Sequence, residues 1–187
     1  MITVRPVRVF ADVKEVLGPK HPEASVCWCL TYRLPARENK ALTGPARGER
    51  VAEILQDGPI GVLAYDDDEP VGWAAVAPRC ETTFDRSRTI PRVDDASVWC
   101  AWCIRVKPGH RKKGVSRHLL AGAIEFARGE GATTLEGYPL ENEGKVINAT
   151  MAYVGTKALF ESAGFRHVAD TKSVLDGFPR VLMRLNL

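Results

Sequence analysis

Residues 96–124, ASVWCAWCIRVKPGHRKKGVSRHLLAGAI, constrain the chain more than any other stretch, because three kinds of local order follow one another within it. Val98 to Val106 is dense in Val, Ile, Cys and Trp and reads as a strand buried on both faces. Leu119, Leu120, Ala123, Ile124 and Ala127 recur at helical spacing, and Gly129 and Gly131 end the pattern. Between strand and helix lies the loop Pro108 to Ser116. The stretch carries six Lys or Arg and no Asp or Glu, in a chain of net charge only +3. A basic loop that feeds a helix N-terminus is a place for an anion, since the first backbone N–H groups of a helix lack internal partners and the helix dipole adds to their pull. Gly114, without a Cβ, lets a ligand approach the main chain and permits a turn that other residues resist. Ser116 adds a hydroxyl donor.

Several phosphate loops fit this outline to different degrees. Gly109 and Gly114 have the spacing of a nucleotide-triphosphatase loop and Ser116 stands at its Ser/Thr position, but Val115 replaces the lysine that contacts the triphosphate. The dinucleotide fingerprint fails because only one glycine is correctly placed after the turn. Arg111-x-x-Gly114-x-Ser116 does resemble the R/Q-x-x-G-x-G/A signature of the GNAT superfamily, the acyl-CoA-dependent N-acyltransferases, with Ser in place of the final Gly or Ala. A solvated basic turn before a capped helix is the plain alternative. Further on, Leu159-Phe160-Glu161-Ser162-Ala163-Gly164-Phe165 resembles the L-Y-E-x-x-G-F segment that closes many of these domains. Trp28-Cys29, Val71-Gly72-Trp73, Glu136 to Pro139 and Tyr153 to Gly155 are similar to segments shared by a group of bacterial members.

A chain of 187 residues suits one domain, here 1–187, and 45% hydrophobic with 26% charged residues supports an ordinary core. No apolar run is long enough to span a bilayer, so no membrane association is expected. The arginines of MITVRPVRVF stand where a signal peptide needs its apolar centre, and a cytoplasmic protein is the expectation. Five cysteines fit reduced thiols. Cys27 with Cys29 and Cys100 with Cys103 have the look of ligand pairs, yet residues 100 and 103 of a strand face opposite ways unless a bulge intervenes. Buried thiols acting as small hydrophobes, with no metal, are therefore expected.

In chain order, Ile2 to Val9 reads as an edge strand, and Asp12 as the cap of a short helix ending at Gly18. Residues 21–35 place Trp28 and Tyr32 on one helical face, either as core or as the lining of an acceptor pocket. Residues 36–50, polar with Gly44, Pro45 and Gly48, read as a mobile loop before a short helix from Val51. Two apolar runs, 60–65 and 70–77, form a hairpin with an acidic turn. Residues 78–95 have no period and four arginines, as either a surface excursion or a substrate loop. Thr133 to Pro139 reads as a strand parallel to the one before the basic loop. A polar connection over 141–150, a short helix over 153–165 and two closing strands, 166–170 and 181–187, complete the chain.

The resemblance implies an α/β (α+β) fold with a mixed, mostly antiparallel sheet of about seven strands, opened by a central parallel pair. It implies an N-acetyltransferase, with acetyl-CoA as co-substrate and a small-molecule or peptide amine as acceptor; homodimers are common in the superfamily. The pyrophosphate would sit over Arg111, Lys112, Lys113, Gly114, Val115 and Ser116, and the pantetheine arm along Ile104, Arg105 and Val106, with Tyr153, Lys157 and Phe160 also counted among the cofactor-binding residues. Amides near Ile104 and Arg105 would hold the oxyanion. Phe160 stands where many members have the tyrosine that protonates the leaving sulfur, which leaves Tyr153 as a candidate acid and Glu136 or Glu141 as candidate bases, or solvent in their stead. A non-catalytic CoA sensor is the rival reading. A nucleic-acid module is disfavoured, because Trp99 and Trp102 look like core instead of interleaving with the basic residues.

Overall fold

The structure, a computed structural model, describes residues 1–148 and 150–187; Ala149, inside the polar connection, lies outside the described residues. Seven strands form one sheet in the order β1-β2-β3-β4-β5-β7-β6. They are β1 Ile2–Pro6, β2 Gly61–Asp66, β3 Glu69–Pro78, β4 Trp99–Val106, β5 Thr134–Gly137, β6 Arg166–Leu175 and β7 Phe178–Asn186. All neighbours are antiparallel except β4 and β5, as the succession of strand, basic loop, helix and strand predicts. The helices are α1 Phe10–Leu17, α2 Ala36–Ala41, α3 Ala46–Gln56, α4 Val115–Gly129 and α5 Lys157–Ser162.

Each face of the sheet has its own core. On one, α4 buries Val115, Leu119, Leu120, Ala123, Ile124 and Ala127 against Val62, Ala74, Val76 and Ala101. Gly72 of β3 permits this approach: a Cβ there would stand 2.9 Å from Leu119 Cδ1. On the other face, Val13, Leu17, Trp28, Leu30 and Val51 cover Leu63, Trp73, Ala75 and Trp102. Phe84 and Ile90 of the aperiodic segment 78–95 are sealed into this second core, so the segment is a packed cap over the sheet.

Several local expectations are corrected. Residues 21–35 form turns and not a helix, because Trp28 and Cys29 take left-handed backbone angles, φ 51° and 61°. Asp12 does not cap α1; its carboxylate accepts from the Tyr65 hydroxyl at 2.7 Å instead, and the N-cap is Val9. Residues 36–50 hold α2 and the first turns of α3. Gly48 is there for close packing, since a Cβ would meet the Trp28 ring at 2.9 Å. Arg47, buried in α3, donates to the carbonyls of Val26, Cys27, Asn39 and Leu42 and so ties the whole segment to the helix. Cys29 and Cys103 are joined as a disulfide with Cα atoms 6.3 Å apart, whereas free thiols were expected of both. Cys100 is the buried free thiol of that reading, and burial pushes its pKa up to about 12.

Candidate functional site

The parallel pair is short, and that creates the site. β4 and β5 pair only from Trp99–Leu135 to Ala101–Gly137, after which β5 ends and the remainder of β4 has no partner on that side among the described residues. The two strands of the pair thus part like a V. On its other edge, β4 carries a bulge: Trp102 pairs with Ala75 and Arg105 with Trp73, so Cys103 and Ile104 face a single residue of β3, and Cys103 takes φ 55°. The bulge puts Cys100, Trp102 and Cys103 in one core, which overrides strand alternation.

A groove of about 350 Å³ follows the free part of β4. Ile104, Arg105 and Val106 form its floor, and His110, Arg111, Lys112, Gly114, Val115 and Ser116 close one end. The opposite wall is Thr150, Ala152, Tyr153, Gly155, Thr156 and Leu159. Gly114 is the N-cap of α4 with φ 80°, no side chain caps the helix, and a Cβ built there would meet nothing within 4 Å. Glycine is thus demanded by the backbone angle, and the space in front of the helix N-terminus is open. Arg111 Nε turns back to the Val106 carbonyl at 3.3 Å, linking the loop to the end of β4.

Of the residues singled out from sequence, Ile104, Arg105, Val106, Arg111, Lys112, Gly114, Val115, Ser116 and Tyr153 come together around this groove. Lys113, Lys157 and Phe160 do not line it. Lys157 pairs with Glu141, which holds the Glu141 carboxyl below its usual range and raises Lys157 in turn. Phe160 is fully buried and stacks edge-on with Phe165, at 4.9 Å between ring centres. Tyr153 belongs to a separate 3-10 turn, Met151–Val154, and not to the helix of Phe160.

Glu136 is no exposed base. Its side chain is 0% exposed; Arg79 Nη1 donates to Oε2 at 2.7 Å, the Tyr138 hydroxyl to the same oxygen at 2.6 Å, and Arg184 Nε to Oε1 at 2.8 Å. Both carboxylate oxygens are occupied in holding β5, β7 and the 78–95 cap together. Arg184 also grips Asp94, holding that carboxyl down at about 2.

Behind Tyr153 stands a polar cluster that sequence reasoning missed. Tyr32, from the turns after β1 and α1, lies with its hydroxyl 3.5 Å from that of Tyr153 and stacks on Phe84 at 4.5 Å. Arg180 of β7 donates to Tyr32 Oη at 3.2 Å and to the Tyr138 carbonyl at 2.8 Å. Burial pushes the Tyr153 phenol well up, while the Arg180 charge opposes it. Tyr32 lies more than a hundred positions from both Tyr153 and Arg180, and no local pattern signals the cluster.

Comparison with known proteins agrees with the geometry. The profile of the acetyltransferase (GNAT) family matches residues 28–144, well over half of the chain. The chain belongs to this family. Among solved structures, a GNAT-family protein from Desulfovibrio desulfuricans is similar with a TM-score of 0.58 at 21% identity, covering 100% of this chain and 99% of that one. The ribosomal-protein-alanine N-acetyltransferase of Brucella melitensis is similar at 20% identity and a TM-score of 0.54, over 99% of each chain. The NatC complex bound to Gag peptide and CoA gives 14% identity and 0.56, over 100% of this chain and 98% of that one. At these identities the structural likeness speaks for the GNAT fold alone. No curated protein matches the chain. Among the described residues no group of His, Cys, Asp or Glu is gathered to hold a metal, and no helix is long and apolar enough to cross a membrane.

Proposed function

We propose that this GNAT protein is an acetyl-CoA-dependent N-acetyltransferase acting on a primary amine, a small molecule or the amino group of a peptide, by direct attack. The observation that carries the reading is the groove itself: an unpaired length of β4 leads to an open, glycine-capped helix N-terminus flanked by Arg111 and Lys112. Those parts fit the two chemically distinct ends of coenzyme A. Amides Val115 and Ser116 and the basic side chains suit the diphosphate, and the free edge at Ile104 to Val106 suits the amide-bearing arm.

The reaction needs a neutral amine, donors for the oxyanion and a proton for the departing sulfur. Backbone N–H groups at the bulge by Ile104 and Arg105 serve the oxyanion. Tyr153, at the wall facing them, serves the sulfur. With Glu136 and Glu141 both held in ion pairs, the proton of the amine leaves to solvent, so turnover follows the fraction of neutral amine as pH rises.

Calorimetry with CoA tests the cofactor half. Binding that weakens at least tenfold in Arg111→Ala and in Gly114→Val supports it, and unchanged binding in both refutes it. Release of free thiol from acetyl-CoA across a panel of amines tests the transfer. The sensor reading, which the phenylalanine at 160 favours, predicts binding with no release on any amine.

A further inference from the structure

Arg180 is a guanidinium for which the described residues provide no carboxylate. It is 3% exposed, and no acidic side chain among the described residues pairs with it. Arg79, equally buried, has Glu136 and the carbonyls of Phe84, Ile90 and Pro91. A buried cation left without an anion is costly, so its retention asks for a use. Nε is spent on the Tyr138 carbonyl, Nη1 on the Tyr32 hydroxyl, and Nη2 is buried with no partner.

Hydrogen-bond accounting leaves the cluster one direction in which every hydroxyl proton is used. A guanidinium only donates, so the Tyr32 oxygen accepts from Arg180. The Tyr32 proton is then free to be given, and the Tyr153 oxygen, 3.5 Å away, is within reach to take it. Once Tyr153 accepts from Tyr32, its own proton has to point elsewhere, and Tyr153 lines the groove with Ile104 and Arg105. We propose that Arg180 and Tyr32 are positioning residues, a one-way donor chain that aims the Tyr153 hydroxyl proton into the groove at the thioester sulfur and steadies the phenolate left behind. This rests on the reading of the groove as the acetyl-CoA site.

The step balances as follows. The amine nitrogen bonds to the acetyl carbon; the C–S bond breaks with its electron pair going to sulfur; sulfur takes the proton of Tyr153 Oη. The phenolate, now accepting from Tyr32, which accepts from Arg180, regains a proton from solvent, matching the one that the acylated nitrogen released. Burial keeps Tyr153 protonated until the sulfur needs it. The 3.5 Å separation is at the long end of hydrogen bonding, and such catalytic contacts tighten when substrate closes the site.

The test uses the full chain with acetyl-CoA and an amine that the wild type acetylates. Tyr32→Phe, Arg180→Met, Arg180→Lys, Tyr153→Phe and the double variant Tyr32→Phe/Tyr153→Phe are compared for kcat, for KM toward acetyl-CoA and for melting temperature. Expected are a loss of about 100-fold in kcat for Tyr153→Phe and of about tenfold or more for Tyr32→Phe and Arg180→Met, within the span of general-acid effects. KM stays within about twofold, and Arg180→Lys recovers part of the loss. The double variant is no slower than Tyr153→Phe alone, as residues acting as one unit are not additive. Wild-type kcat in Tyr32→Phe, or a double variant whose losses multiply, overturns the chain and leaves the transferase reading standing. A folded wild type that binds CoA yet releases no thiol overturns both. Tyr32→Phe decides the matter even if the Arg180 variants fail to fold.

Discussion

The ring of Phe160 fills the space that a side chain at residue 137 would occupy: a Cβ built on Gly137 would stand 2.0 Å from Phe160 Cε1. The last residue of β5 and the middle of α5 are thereby locked, just where β4 and β5 part. Gly155, the residue after the Tyr153 turn, abuts the same ring, its Cβ position 2.9 Å from Phe160 Cε2. Overpacking is therefore expected in Gly137→Ala, at about 1–3 kcal/mol. Urea unfolding would show it as a lower midpoint at unchanged slope; an unchanged midpoint would mean that the ring moves freely aside.

The same packing bears on the phenylalanine that replaces the family's tyrosine. Phe160→Tyr puts a hydroxyl into a fully buried apolar site, at a cost of about 1–3 kcal/mol if it finds no partner. No rise in turnover is expected, since residue 160 does not line the groove. A faster and equally stable Phe160→Tyr enzyme would show that the phenol reaches the sulfur after all.

Glu136→Gln is expected to lose stability by about 3–5 kcal/mol, because it removes the charge facing Arg79 and Arg184. Denaturant midpoints measure this. A variant as stable as wild type but with kcat reduced a hundredfold would instead return Glu136 to the role of base.

Asp94 gives a pH signature. Its folded pKa of about 2 lies below the ordinary 3.8, held there first by the hydrogen bond from Arg184. A depressed carboxyl stabilises the fold above its unfolded pKa, and that contribution fades as pH falls from about 4 toward about 2. The melting temperature of Asp94→Asn should lie below that of wild type at neutral pH and converge with it near the acid end. Parallel curves throughout would show that the pairing does not titrate.

At Gly114, φ of 80° and open surroundings separate two effects. Gly114→Ala should cost about 1–2 kcal/mol through backbone strain alone, read as a fall in melting temperature. A null result would place the loop in another conformation in solution.

Local order was legible wherever one segment's residues settle it. The buried strand, the basic loop and the α4 stripe from Leu119 to Ala127 form within a single stretch, and the strand–helix–strand order fixed the parallel pair β4–β5. Where the reading went astray, a distant partner decided. Gly48 looked like a loop residue but serves the Trp28 ring, and the helix of residues 46–56 extends past it because Arg47 finds four carbonyls there.

What the amino-acid order determined by itself is the family signature and the phosphate-suited turn, because a glycine at a helix N-terminus behind basic side chains is a local arrangement of a few residues. Only the tertiary structure decided what Glu136, Phe160, Cys103 and Arg180 do. A carboxylate becomes a buried anchor instead of a base only when Arg79 and Arg184 reach it from elsewhere. Cys103 shares a face with Cys100 only through the bulge against β3, and Arg180 meets Tyr32 across 148 positions of chain. Hydrogen bonding and desolvation depend on which groups are near in space, and that nearness is set by folding.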